Sequence, residues 1–169
     1  MKLQEINKPV YRNKQRKLAI VFGSVFLVLG LSISAAFRAW SGNPEGENMS
    51  TNMAGVLLGM LITAGIFYLF KSRPYFDEIR YAWNLKRQVL KIQNKKHLWK
   101  DKVVAGDQTA ATVMAFYYAG VIQLQHLENN EFGQKEMSDE RAEFEARCVP
   151  HNLTHDANHF SIDMLLEVK

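Results

Sequence analysis

Three histidines near the C-terminal end, His151, His155 and His159, recur every fourth residue and are the first candidates for chemistry. On a helix that spacing would stack the imidazoles on one face, and imidazole pairs so placed hold Zn²⁺ or another transition metal. Cys148 and Asp156 are near enough in sequence to supply a further ligand. The neighbouring residues oppose a helix, because Pro150, Asn152, Thr154 and Asn158 are poor helix formers. No Glu follows the first histidine, so the HExxH protease pattern is missing. The residues favour a polar His-containing tail over 149–169, with a zinc site as the alternative.

Other catalytic patterns are weaker. Cys148 has only His151 nearby as a base, and a Cys–His dyad requires spatial proximity that sequence does not give. The chain carries no GxGxxG and no P-loop signature. Its single cysteine makes no intramolecular disulfide, which suits a reducing compartment. An enzyme is therefore not expected, and no cofactor is expected apart from the zinc alternative.

The elements that would position these residues are dominated by two apolar stretches. Residues 18–37 (LAIVFGSVFLVLGLSISAAF) and 53–70 (MAGVLLGMLITAGIFYLF) contain no charged side chain. A helix needs about 20 mostly apolar residues to cross the hydrocarbon of a bilayer. Over 169 residues the mean hydropathy is only −0.20, because these stretches are averaged with a very polar remainder. The first run is longer than the ~7–15 apolar residues of a cleaved signal. It reads as a retained span, followed by Arg38 and Trp40 at the interface.

Charge sets the expected sidedness. The net charge of +4 hides a strong asymmetry. Residues 1–17 form a basic lead with six basic groups against Glu5, broken early by Pro9. Residues 71–102 carry ten basic and three acidic side chains, and 103–169 four basic and eleven acidic. Short loops rich in Lys and Arg stay cytoplasmic, so both termini are expected inside, with only the polar link over 42–52 outside. Neither span holds an ionisable residue, which argues for an anchor over a transporter.

Small residues mark where the spans would pack. Ala19, Gly23, Gly30 and Ser34 form a narrow stripe on the first, and Gly55 and Gly59 form a GxxxG on the second, extended by Thr63. Lipid supplies no hydrophobic force between helices, so close backbone approach matters. Packing within the hairpin is the expectation, with another subunit as the alternative.

The rest reads as a cytoplasmic three-helix domain over 71–148. Pro74 ends the second span, and Ala82, Leu85, Val89, Ile92, Trp99 and Val103 follow helical spacing interrupted by Lys96. Arg80, Lys86, Arg87 and Lys91 occupy other faces and offer a basic surface to lipid or to an acidic partner. Nucleic acid is a poor fit beside a membrane. Gly106 and Asp107 mark a stop and an N-cap. The uncharged run 108–125 is expected to be the buried central helix, with Phe116, Tyr117 and Tyr118 as core aromatics, the two tyrosines partly exposed. Residues 136–147 (EMSDERAEFEAR) are a short acidic helix, capped by Ser138 and charge-complementary to the basic one.

The opening MKLQEINKPVYR, the two spans, KSRPYFDEIRYAWNLK and AFYYAGVIQLQHL resemble a family of small gammaproteobacterial membrane proteins catalogued as a domain of unknown function. The resemblance covers most of residues 1–128. It implies an inner-membrane location and a cytoplasmic C-terminal domain, and brings neither activity nor site residues. The fold expected is all-α: a membrane-spanning hairpin followed by a cytoplasmic helical domain. The function expected is a non-catalytic interaction or scaffold module that binds the bilayer and a protein partner or a second copy. The alternatives are a metal-responsive membrane protein and an accessory subunit of a larger inner-membrane complex.

Overall fold

The computed structural model describes residues 2–41 and 49–167. The polar link expected over 42–52 therefore lies outside the described residues as far as Asn48. Among those described, the chain is all-α and has no strand. Six α-helices run α1 Lys8–Ser41, α2 Met49–Phe70, α3 Asp77–Gln93, α4 Lys96–Val104, α5 Gln108–Glu128 and α6 Gln134–Cys148, followed by short 3₁₀ turns. They divide into two compact units, Arg12–Ile79 and Met1–Tyr11 with Arg80–Lys169.

The first unit is the apolar hairpin. At 1.5 Å per residue α1 is about 51 Å long and α2 about 33 Å, both sufficient for a bilayer core of roughly 30 Å. Pro9 does not break the lead as expected. It is the second residue of α1, where a missing N–H costs no helical hydrogen bond, and the Asn7 Oδ1 accepts from the Val10 N–H at 3.2 Å. At the other end, Arg73 is extended before Pro74, and a single 3₁₀ turn over Pro74–Phe76 leads into α3. Asp77 and Glu78 lie in the first turn of α3, where the helix dipole favours negative charge. Lys14 of α1 reaches both carboxylate oxygens of Glu78, at 2.7 and 2.6 Å, and holds that carboxyl below its ordinary range. Phe67 stands edge-on to both Phe22 and Phe76, tying the base of the hairpin together.

The second unit is built around α5. Nine consecutive residues, Ala110 to Tyr118, are buried. A helix buried on every side must be central. Asp107 caps it, accepting from the Ala110 N–H at 3.0 Å, and Asn129 ends it in the left-handed conformation at φ 55°. Against Gly120 lie Leu85 and Val89 of α3; a Cβ there would come within 2.9 Å of the Val89 side chain. Trp99 and Val103 of α4 and Phe144 of α6 complete the core.

Two sequence expectations change here. The amphipathic run after Pro74 is not one helix: it breaks at Asn94 and Lys95, giving α3 and α4, so the domain has four α-helices. Lys96 is the reason for the break's usefulness. It opens α4, sits over the rings of Tyr117 and Tyr118 at 5.2 and 5.9 Å, and pairs with Glu140 of α6. The acidic helix accordingly meets α4 through Lys96 and Lys100, while the basic α3 has its own partner in Glu128 through Lys86. Ser138 is not the cap, because α6 already starts at Gln134 after Gly133, which takes φ 73°.

Two buried side chains, Gln88 and Tyr118, keep a polar atom without a hydrogen-bond partner among the described residues, and Tyr118 lies the deeper. Its Oη is buried without a hydrogen-bond partner among the described residues, beside a cavity of about 10 Å³ lined by Lys100, Glu140, Glu143 and Arg147. Burial, and then the nearby carboxylates, push the phenol above its ordinary 10.0. Tyr118→Phe should therefore stabilise the domain by about 1 kcal/mol, since an unpaired buried hydroxyl carries its full desolvation cost. The raised phenol contributes stability below pH 10 that is lost above it, because only the unfolded chain then ionises readily. The advantage of Tyr118→Phe should thus widen as pH rises past 10.0. Thermal unfolding followed by circular dichroism at neutral and alkaline pH checks both; a less stable variant would contradict the account.

Candidate functional site

The small residues of the hairpin divide sharply. Gly55 and Gly59 are buried on α2. A Cβ on Gly59 would lie 2.9 Å from the Gly30 backbone of α1, and one on Gly55 would lie 2.6 Å from the Ser34 nitrogen. Backbone cannot yield as a flexible side chain does, so these positions admit only glycine. Ser34 is buried at this crossing and donates from Oγ to the Asn52 carbonyl at 3.2 Å, while Thr63 donates to the Gly59 carbonyl at 2.8 Å. Gly23 is different. It has nothing within 4 Å of an added Cβ, and Ala19 is exposed. The contact within the hairpin therefore uses Gly30, Ser34, Gly55 and Gly59 and leaves the N-terminal half of the stripe open.

The basic candidates Arg80, Lys86, Arg87 and Lys91 are all exposed on α3. They are not equivalent. Lys86 pairs with Glu128 at 3.0 Å, whereas Arg87 and Lys91 have no acidic partner among the described residues. The core side of the same helix carries Tyr81, Ala82, Leu85, Gln88, Val89 and Ile92. Tyr117 and Tyr118 were expected to be partly exposed and are not. At 2% and 1% exposure they are core residues, enclosed by α4 and α6, and present nothing to a partner.

The three histidines are all exposed; His151 and His159 end separate 3₁₀ turns and His155 lies in the irregular stretch between them. His151 ends a 3₁₀ turn beside Gly106, His155 meets the Phe144 ring edge-on at 6.2 Å, and His159 pairs with Asp156 at 3.3 Å. The helix that would stack them is missing because Pro150 and the left-handed Asn152 (φ 56°) interrupt it. Among the described residues no group of three His, Cys, Asp or Glu side chains is gathered as a metal site. Cys148 is buried at 1% exposure, and burial raises its thiol, so the thiolate needed of a nucleophile or ligand is disfavoured.

Two structural devices escape the sequence reading. The first is a polar triangle joining the lead to the helical unit. Gln4 N–H donates to the Tyr81 hydroxyl at 2.9 Å, that hydroxyl donates to the Gln123 carbonyl oxygen at 2.9 Å, and the Gln123 amide donates back to the Gln4 carbonyl. Tyr11, from the same lead, is buried. The second is the docking of the tail. Gln108 receives the Thr154 N–H at 3.0 Å and donates to the Thr154 carbonyl at 2.6 Å, and the Phe160 ring stacks on Phe116 at 3.9 Å. Long-range partners of single Gln, Tyr and Phe residues leave no periodic trace.

A large side chain at position 59 should open the hairpin, whereas the same change at position 23 should not. Gly59→Leu is expected to cost about 1–3 kcal/mol and Gly23→Leu close to nothing. Unfolding of the full chain in mixed detergent and dodecyl sulfate micelles measures both; equal midpoints would contradict the crossing.

Comparison with curated proteins and with solved structures finds no match. A family profile does match, over nearly the whole chain, and it carries no assigned activity. From residue 1 to residue 165 the sequence fits the profile described as Protein of unknown function (DUF3087), and the chain belongs to that family.

Proposed function

We propose that this protein is a non-catalytic, membrane-anchored interaction module, its hairpin set in a bacterial inner membrane with both termini cytoplasmic. One observation carries the reading. In the most apolar 18-residue window of each of α1 and α2 only 11% is buried, so these helices are not the core of a soluble domain. Side chains such as Leu31 and Leu61, 70% and 68% exposed, need an apolar surrounding that the chain itself does not provide. The basic lead and the basic stretch after α2 flank the hairpin on one side, which supports cytoplasmic termini. The helical unit is the part that meets a protein partner, a second copy of the chain, or the larger complex of which this chain is an accessory subunit.

Purification in mild detergent followed by mass spectrometry tests the interaction. A stoichiometric membrane partner or a defined homo-oligomer is expected, and a monomer that carries nothing with it across detergents would overturn the reading. A periplasm-dependent reporter enzyme fused after Lys169 tests the sidedness: it should be silent, and bright activity would contradict it. Zinc uptake should be unchanged when His151, His155 and His159 become Ala; a stoichiometric site lost in that variant would instead favour the metal-responsive alternative.

A further inference from the structure

We infer that the outer face of α3 is a docking surface for anionic phospholipid headgroups. The inference deepens the reading above and rests on its membrane anchorage.

The core side of α3 is settled by its buried residues, so its outward arc can be read directly. At ~100° per residue, Leu90, Trp83, Arg87, Arg80 and Lys91 fall in that order across about 100° of the circumference. Trp83 is 67% exposed and Leu90 48%. Lys86 lies outside this arc and is the basic residue of α3 that pairs with Glu128. From Ile79 to Lys100 the chain contains no Asp or Glu; the acidic residues of α3 are Asp77 and Glu78 in its first turn, outside this arc.

Three features together identify the occupant. Arginine and lysine at the edge of an arc with a tryptophan and a leucine at its other edge match the headgroup boundary, where amphipathic rings and snorkelling cations both settle. Trp83 and Leu90 are neighbours on the arc and make a continuous apolar edge, unlike a single exposed residue. An acidic protein partner would also take a Trp beside two cations, so the preference for lipid comes from the position of α3 directly after an apolar helix long enough to span a bilayer. Finally, only the six residues 71–76 separate α2 from α3, so the chain enters α3 close to the end of the second apolar helix.

Trp83 reports the contact. The full chain is reconstituted in vesicles of phosphatidylcholine alone and of phosphatidylcholine with phosphatidylglycerol, each containing brominated lipid as a quencher. The Trp83 signal is taken as the difference between the parent and Trp83→Phe, which removes the contributions of Trp40 and Trp99. In phosphatidylglycerol vesicles that signal should be quenched by the lipid and shielded from aqueous iodide. Arg87→Gln with Lys91→Gln should weaken the docking about 25-fold, roughly five-fold for each charge removed, and raised salt should act in the same direction. A Trp83 signal open to iodide and insensitive to brominated lipid in both compositions would overturn the inference. So would shielding that appears only on adding an acidic polypeptide, which would assign the face to a protein. Flotation of the parent with phosphatidylcholine vesicles reads the anchor separately. A chain that floats with Trp83 in water loses this inference alone, whereas a chain that does not float loses both.

Discussion

Among the described residues nothing covers the apolar flanks of α1 and α2, and the rest of the structure turns on how that constraint is met. In hydrocarbon every peptide N–H and C=O must find its partner inside the segment, and both stretches, as uninterrupted helices long and apolar enough to span, meet that requirement. Such surroundings would remove the hydrophobic force between the two helices. What holds them is contact at van der Waals distance, available only where side chains vanish, at Gly30 against Gly59 and at Ser34 against Gly55. The close backbone contact accordingly lies over the half of α1 that carries Gly30 and Ser34 and does not extend to Gly23. At its base a different chemistry takes over, with the Lys14–Glu78 pair and the Phe22–Phe67–Phe76 ring contacts.

The helical unit solves the ordinary problem of a water-exposed domain, and solves it with α5. Its uncharged sequence is long enough to be mistaken for a span, but it is sheathed by α3, α4, α6 and the tail. Polar groups at its margins find specific partners: Asp107 caps it, Gln108 holds the tail at Thr154, and Gln123 joins Tyr81 and Gln4. Such networks favour one arrangement over others more than they add net stability. Lys96 is the clearest case. A cation that interrupts an apolar stripe becomes, in the fold, the group that faces two tyrosine rings and an acidic helix at once.

Much of this was legible in the residues, and the failures share one cause. The two apolar runs, the Asp107 cap, the buried character of 108–125 and the acidic helix follow from local pattern, because burial imposes periodicity on sequence. The break between α3 and α4 leaves no clear local mark, because a Lys in an apolar stripe reads equally as an interruption or as a partner, and Glu140, its partner in the fold, is distant in sequence. The exposure of Tyr117 and Tyr118 was misjudged for the same reason: their covers, α4 and α6, are distant in sequence. The histidine spacing was a regularity without a helix to use it. The lead and the tail were read as polar extensions, yet Tyr11 and Phe160 are buried, and a single aromatic anchor leaves no repeat to detect. Sequence patterns alone gave no sign of which glycines in the stripe would be used; Gly23 and Gly30 look alike until the crossing point is known.

The account stands on the two apolar helices being integral to a bilayer. Washing isolated cell membranes with alkaline carbonate separates embedded chains from those held by surface charge or by protein contacts. The full-length protein should remain in the membrane pellet and leave it only with detergent. Quantitative release into the carbonate supernatant would contradict the central claim.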